Sequence, residues 1–367
     1  MNIYKIKNIN FLLIFLLILL GFIGAAGLYS AADGSYDPWA SRHLIRLFLF
    51  LILAILISIT NLKIIYNYTY TLFILSVLLL ISVEIIGVLG QGATRWIRIF
   101  GFSLQPSEFV KITLIIALAK FYHDLRFDKI GNILNLFFPS LIILTPVAFI
   151  IIQPDLGTAI SILLLGILIL FISGVRMWKF LIGFLISIAI LPFIFRYIKP
   201  YQKERILSFM NPESDPLGAG YQLTQSKIAL GSGGTTGKGF LEGTQSYLEF
   251  LPEKHTDFIF TLIGEEFGFL GTIFIILIFL IVISICYYVS IKSIHVFGRI
   301  LALGVSINLF IYVIMNIAMV TGLMPVVGIP LPLISYGGSV MLSFMISMGL
   351  VLNIDLNYNE KKLKKHA

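Results

Sequence analysis

Residues 11–30 read FLLIFLLILLGFIGAAGLYS, an apolar run without a single charged side chain. A helix needs roughly 20 such residues to cross the hydrocarbon core of a bilayer, and runs of comparable length recur along the chain. This pattern limits the fold more than any other feature. Strands of a transmembrane barrel alternate polar and apolar positions, so uninterrupted runs select helices. Composition agrees: 58% of residues are hydrophobic and 12% charged, against about 25% charged in soluble domains. The first run is longer than a signal-peptide core and no small-residue cleavage site stands clearly at its end, so it reads as a retained helix.

Runs and breaks predict an all-α integral membrane protein of about ten transmembrane helices, near 10–29, 43–60, 68–89, 107–122, 134–152, 156–173, 178–195, 258–289, 299–321 and 336–353. An even number puts both termini on one side. One set of connections holds Lys5, Lys7, Lys63, Lys120, Arg126, Lys129, Arg176, Lys179, Lys292, Arg299 and the tail Lys361, Lys362, Lys364 and Lys365. The opposite short loops hold Arg42, Arg46, Arg95 and Arg98. The positive-inside rule makes the first set, and both termini, cytoplasmic. The net charge of +8 therefore reports topology, because no soluble basic domain exists to hold nucleic acid. Cys286 lies inside an apolar run and carries no redox reading.

The 196–257 segment, between the seventh and eighth helices, is too long and polar for a hairpin and falls on the extracytoplasmic side. It contains GYQLTQSKIALGSGGTTGKGF. A flexible Gly/Ser tether is the bland reading, but Tyr221, Leu223, Ile228, Leu230 and Phe240 supply apolar anchors for a loop folded on the bundle. The GKG within it lacks the Ser or Thr that a Walker motif places after Lys.

Charges within a membrane are costly and usually face a cavity or a partner. Arg95 lies in GATRWIRIFG, and Glu108 and Lys111 share one face of the helix entered at QPSEFVK; a structural ion pair is the competing reading. Asp155 in QPDLGTA reads first as a helix cap. In GLMPVVGIPLPLISYGGS, Pro325, Pro330 and Pro332 precede Ser335, and proline-broken backbone at membrane depth is tolerated where it is buried or lines a cavity. LPEKHTDFIF sets Lys254, His255 and Asp257 at the mouth of the eighth helix, where the dipole favours a carboxylate. Glu265 and Glu266 follow roughly two turns on. Transporters place sites near the midplane and a scaffold needs no such charges, so charges gathered at one interface favour an enzyme with a lipid-tailed substrate.

GATRWI, QPSEFVK, QPDLGTA, GYQLTQSKIALGSGG, GKGFLEGTQSYLEFLPEKHTDFIF, GEEFGFLG and MPVVGIPLPLISYGGS together resemble the SEDS (shape, elongation, division and sporulation) family, and GTQSYLEFLPE resembles its rod-shape branch more than its division branch. The resemblance implies a peptidoglycan glycosyltransferase that polymerises lipid II on the outer face of the bacterial cytoplasmic membrane. It implies partnership with a class B penicillin-binding protein and other elongation-complex membrane proteins. Lipid II translocation, or the same polymerisation in division, are the alternatives. Carried onto this chain, the family's essential aspartate is Asp257, with Arg95, Glu108, Lys111, Asp155, Lys254, His255 and Ser335 as candidate substrate-binding residues. Joining a sugar hydroxyl to an α-linked pyrophosphate sugar with β product is a single inverting displacement. One base suffices, and Asp257 is the candidate. A divalent cation (Mg2+ or Mn2+) is optional in this reading, and Asp257 as base or as metal ligand stays open.

Overall fold

The structure, a computed structural model, describes residues 9–90, 93–99, 102–126, 129–197, 208–209, 218–247, 250–251 and 253–366. Lys5 and Lys7, counted above among the cytoplasmic charges, and residues 198–207 and 210–217 of the long segment lie outside the described residues.

In chain order the elements are α1 (Phe11–Ala31), α2 (Ala40–Ile59), α3 (Leu62–Asn67), α4 (Thr69–Ile86), β1 (Val88–Gly90), β2 (Ala93–Ile99) and β3 (Phe102–Leu104). There follow α5 (Pro106–Asp124), α6 (Leu134–Ile152), α7 (Leu156–Ile172), α8 (Met177–Tyr197), α9 (Ala219–Ser232), α10 (Thr244–Tyr247), α11 (Ile259–Lys292), α12 (Val296–Val320) and α13 (Gly338–His366). Each of the ten predicted runs becomes a helix. Among the described residues seven of them (α1, α2, α4, α6, α11, α12 and, over Gly338–Asn357, α13) are long and apolar enough to cross a membrane. α7 and the apolar part of α8 are shorter, and α5 carries Glu108, Lys111, Lys120 and Asp124. The outward surface is apolar: Phe15, Ile52, Leu78, Leu144 and Phe274 are all exposed, as lipid-facing helices require. Inside, α13 lies along α2, α11 along α12, and α5 between α4 and α12.

One expectation fails between residues 87 and 104. The third apolar run predicts a helix to residue 89 and a loop across GATRWIRIFG, but α4 stops at Ile86 and a three-stranded antiparallel sheet follows, ordered β1-β2-β3. Trp96 pairs with Val88, and Ile97 with Leu104. Thr94, Trp96, Ile97 and Ile99 are strand formers, and the sheet delivers the chain to α5. There the Gln105 amide donates to Ser339 Oγ at 3.0 Å and Ser339 Oγ donates to the Ser103 carbonyl at 2.9 Å, pinning sheet, α5 and α13 together.

The Gly-rich stretch is an ordered part of the bundle. α11 breaks at Gly268, whose φ of 65° and ψ of −161° no helix contains. The break removes the helical bonds from the Glu265 and Glu266 carbonyls to the amides of Phe269 and Leu270, and the loop supplies replacements. The Lys238 and Gly239 amides donate to the Glu265 and Glu266 carbonyls, both at 3.0 Å, while the Phe269 and Leu270 amides donate to the Gly234 and Thr235 carbonyls at 2.9 and 3.1 Å. All four backbone groups freed by the break are thus satisfied, as burial demands.

The Pro-rich stretch 322–337 is non-helical, with Val326, Ile329 and residues 331–335 buried and Leu323 exposed. It passes so close to α1 and α7 that a Cβ on Gly24 would stand 2.4 Å from the Leu333 carbonyl oxygen, and one on Gly157 2.6 Å from that of Val327. Irregular backbone at this depth is covered by protein on both sides, which is the condition a membrane sets for it.

Candidate active site

Asp257 lies in a turn, residues 253–258, that leads into α11. Two long-range bonds fix this turn from the back. Asn316 Nδ2, fully buried on α12, donates to the Asp257 carbonyl at 2.9 Å and to the Ile329 carbonyl at 2.8 Å. The Tyr336 amide donates to the His255 carbonyl at 2.9 Å. The catalytic candidate and the Pro-rich stretch are therefore clamped to one another, and the half-buried Asp257 carboxylate lies against Gly328. A Cβ at 328, where φ is +70°, would stand 3.3 Å from Asp257 Oδ2.

Around this clamp the neighbours of Asp257 take different partners. The His255 ring stacks on Trp39, centroids 4.3 Å apart and 6° from parallel. Burial there pushes its pKa below the ordinary 6.5, Glu253 opposing that direction and Lys254 adding to it. Lys254 is buried and faces Asp33 Oδ1 at 3.6 Å. Arg46 lays its guanidinium over the Tyr336 ring, 5.0 Å from the centroid, beside Gly338 at the start of α13. A buried ammonium and an arginine thus flank the turn carrying the carboxylate, a distribution suited to an anionic head group.

The other predicted residues form separate sets. Arg95 Nη1 meets Asp155 Oδ2 at 3.5 Å, tying β2 to the entrance of α7. Asp155 is also the cap expected from its sequence context, accepting from the Thr158 amide at 3.3 Å and the Thr158 hydroxyl at 2.9 Å. Glu108 and Lys111 form the ion pair considered above, 2.8 Å apart and almost fully buried. Tyr312 closes that pair, accepting from Lys111 Nζ at 2.6 Å and donating to Glu108 Oε2. Ser335 Oγ accepts from the Leu331 amide at 2.8 Å, holding the turn that contains Leu333 in its left-handed conformation. Glu265 accepts from Lys238 Nζ at 2.7 Å, and Glu266 from the Ser30 hydroxyl. Sequence reading missed Asn316, Trp39, Asp33 and Tyr312. Asn316 alone carried a signal, as a single amide within the run FIYVIMNIAMV.

Among the described residues no three His, Cys, Asp or Glu side chains gather as a ligand set for a metal ion. A Mg2+ or Mn2+ ion at this end would have Asp257 as its protein carboxylate, with substrate phosphate oxygens and water as further ligands.

The family model for FtsW, RodA and SpoVE, described as cell cycle proteins, matches residues 7–360. This chain belongs to that family, the SEDS family. Among its SEDS relatives, the peptidoglycan glycosyltransferase MrdB of Escherichia coli (strain K12) is 41% identical over 285 residues, covering 77% of this chain and 76% of the relative. A probable peptidoglycan glycosyltransferase FtsW of Trichlorobacter lovleyi is 36% identical over 365 residues, covering 96% and 94%. Two solved structures share the fold. A chain from work on structural coordination of polymerization and crosslinking by a peptidoglycan synthase complex superposes with a TM-score of 0.82 at 29% identity, covering 95% of this chain and 98% of that one. The rod shape determining protein RodA of Thermus thermophilus gives a TM-score of 0.70 at 26% identity, covering 95% and 96%.

Proposed function

We propose that this chain is a peptidoglycan glycosyltransferase of cell elongation that polymerises lipid II at the outer face of the bacterial cytoplasmic membrane, with Asp257 as general base. The observation that carries the reading is the double clamp. Asn316 and Tyr336 hold the 255–257 backbone from two later parts of the chain, and Gly328 leaves the carboxylate room. Such over-determination suits a group that must meet a reacting hydroxyl within about 2.6–3.2 Å.

In the reaction the acceptor 4-hydroxyl attacks the anomeric carbon of the donor, the bond to polyprenyl pyrophosphate breaks on the opposite face, and Asp257 takes the hydroxyl proton. Negative charge gathers on the departing pyrophosphate. Lys254, in the same turn as Asp257 and 3.6 Å from Asp33 Oδ1, and Arg46, over the Tyr336 ring, are the cations this reading assigns to it. Arg95 and Lys111 belong to separate sets, with Asp155 and with Glu108 and Tyr312, so their part in this reading is to hold the elements around the site. A divalent cation, if bound at Asp257, would neutralise pyrophosphate charge.

Orientation follows from the basic residues. Lys63 and the α11–α12 turn wall one cavity, and Lys120 Nζ donates to the Tyr66 carbonyl beside it, so these basic connections share the end of α11 away from Asp257. The positive-inside rule makes that end cytoplasmic. The partner in this reading is a class B penicillin-binding protein, which would cross-link the strands made here; likeness to a chain of a peptidoglycan synthase complex supports it.

Purified protein, given labelled lipid II and the partner transpeptidase, is expected to yield glycan polymer. Asp257→Ala is expected to abolish it with melting and partner binding unchanged. Polymer persisting in that variant would remove Asp257 from the mechanism, and head-group movement without polymer would make the protein a translocase. Activity lost on chelation and restored by Mg2+ or Mn2+ in the parent protein would give Asp257 the ligand role.

A further inference from the structure

At the end of the bundle remote from Asp257 lies a cavity of about 420 Å³, walled by the α2–α3 turn, the last turn of α5, the α11–α12 turn and α13. Asp257 lies just before Phe258, the N-cap of α11, and Ser293, on the cavity wall, is its C-cap. Up to roughly 50 Å of helix separates them, so the cavity is no part of the site above.

The lining is divided by character. Phe297 and Ile354 are buried apolar walls, with Leu62 beside them. Lys63, His123 and His295 are exposed and stand at its edge. Lys63 makes no ion pair among the described residues. Asp124, the carboxylate next to His123, accepts a hydrogen bond from the Tyr66 hydroxyl. Lys120 lies over the Tyr66 ring, 4.6 Å from its centroid, and adds to the positive field.

Position narrows the ligand further. α2, α5 and α11 end here and α12 begins here, so the cavity opens at the level of one membrane surface, where lipid phosphates lie. Ile64 and Ile294, flanking it, are exposed in the manner of lipid-facing side chains. The volume falls within the ~300–1,000 Å³ of small-molecule sites, too small for a disaccharide-peptide head group yet fit for a phosphodiester head and the first methylenes of its chains. A free phosphate would leave Leu62, Phe297 and Ile354 uncovered. We infer that this cavity is a binding site for an anionic phospholipid, its phosphate held by Lys63, His123 and His295 and its upper acyl chain laid on Leu62, Phe297 and Ile354. Basic recesses between helices at a cytoplasmic surface are suited to such heads.

The test is to count retained lipids. Full-length protein in detergent, supplied with phosphatidylglycerol and examined by native mass spectrometry, should retain one more copy than Lys63→Glu. The affinity of that copy should fall about fivefold or more in the variant. Ile294→Trp, which fills the mouth and keeps every charge, should lose the same copy. Phosphatidylcholine should not be retained in its place, and millimolar inorganic phosphate should not displace it. Equal counts in the parent protein and both variants, or equal retention of phosphatidylcholine, would overturn the inference. Displacement by inorganic phosphate would make this a free-anion site and overturn the lipid assignment.

Discussion

Gly328 determines how closely the Pro-rich stretch can approach Asp257. An alanine there must adopt a φ of +70° and place its Cβ 3.3 Å from the carboxylate. Left-handed backbone costs about 1–2 kcal/mol for a residue with a Cβ, which the fold can absorb, whereas displacement of a reacting group by about 1 Å costs about a hundredfold in rate. Gly328→Ala should therefore cut polymerisation about ten- to hundredfold, while the melting temperature changes little; steady-state rates on lipid II beside a thermal melt would show it. His255 offers a pH test. Its folded pKa is depressed by burial against Trp39, so the native turn binds fewer protons than the unfolded chain, and its stability is lost as pH falls from 6.5 toward the folded value. Polymerisation should decline on the acid side of 6.5, and His255→Gln, which cannot take up a proton, should flatten that limb. At this scale the sequence placed Asp257 correctly before a helix, but not its supports. Asn316 and Tyr336 lie 59 and 81 positions beyond the atoms they hold, and no local pattern announces such pairs.

Helix identity was legible almost throughout, because a run of apolar residues spanning a bilayer has few other folds open to it. The sheet was not: two of its three strands are three residues long, shorter than any alternation that could be recognised. The helix break was hidden for a different reason. Gly268 in GEEFGFLG resembles any glycine of a membrane helix, and its left-handed φ becomes intelligible only beside Gly237, whose amide nitrogen a Cβ at 268 would meet at 2.3 Å. Gly237→Ala would drive a Cβ to 2.0 Å from the Glu266 carbonyl oxygen. Either alanine should undock the 233–240 loop and cost about 1–3 kcal/mol in strain alone. Limited proteolysis should then cut within 233–240 where the parent chain resists, and retained resistance would refute this account of the glycines.

Across the whole bundle, the Glu108, Lys111 and Tyr312 set joins α5 to α12 in its interior. Removing one ion leaves the other buried and unpaired, at about 3–5 kcal/mol, whereas replacing both with neutral side chains of similar size costs much less. Lys111→Met should thus destabilise the protein strongly and Glu108→Gln with Lys111→Met should restore most of the melting temperature. If the double variant also recovers polymerisation, the pair serves the scaffold; if it melts normally yet is inactive, Lys111 contacts substrate.

The clamp on Asp257 also orders events during biosynthesis. A ribosome delivers Asp257 to the membrane well before Asn316 and Tyr336, so a nascent chain carries its carboxylate without the backbone contacts that aim it. In the mechanism proposed above, competence arrives only once the last helices have been threaded, and a chain released early would be inert toward precursor already present at the membrane.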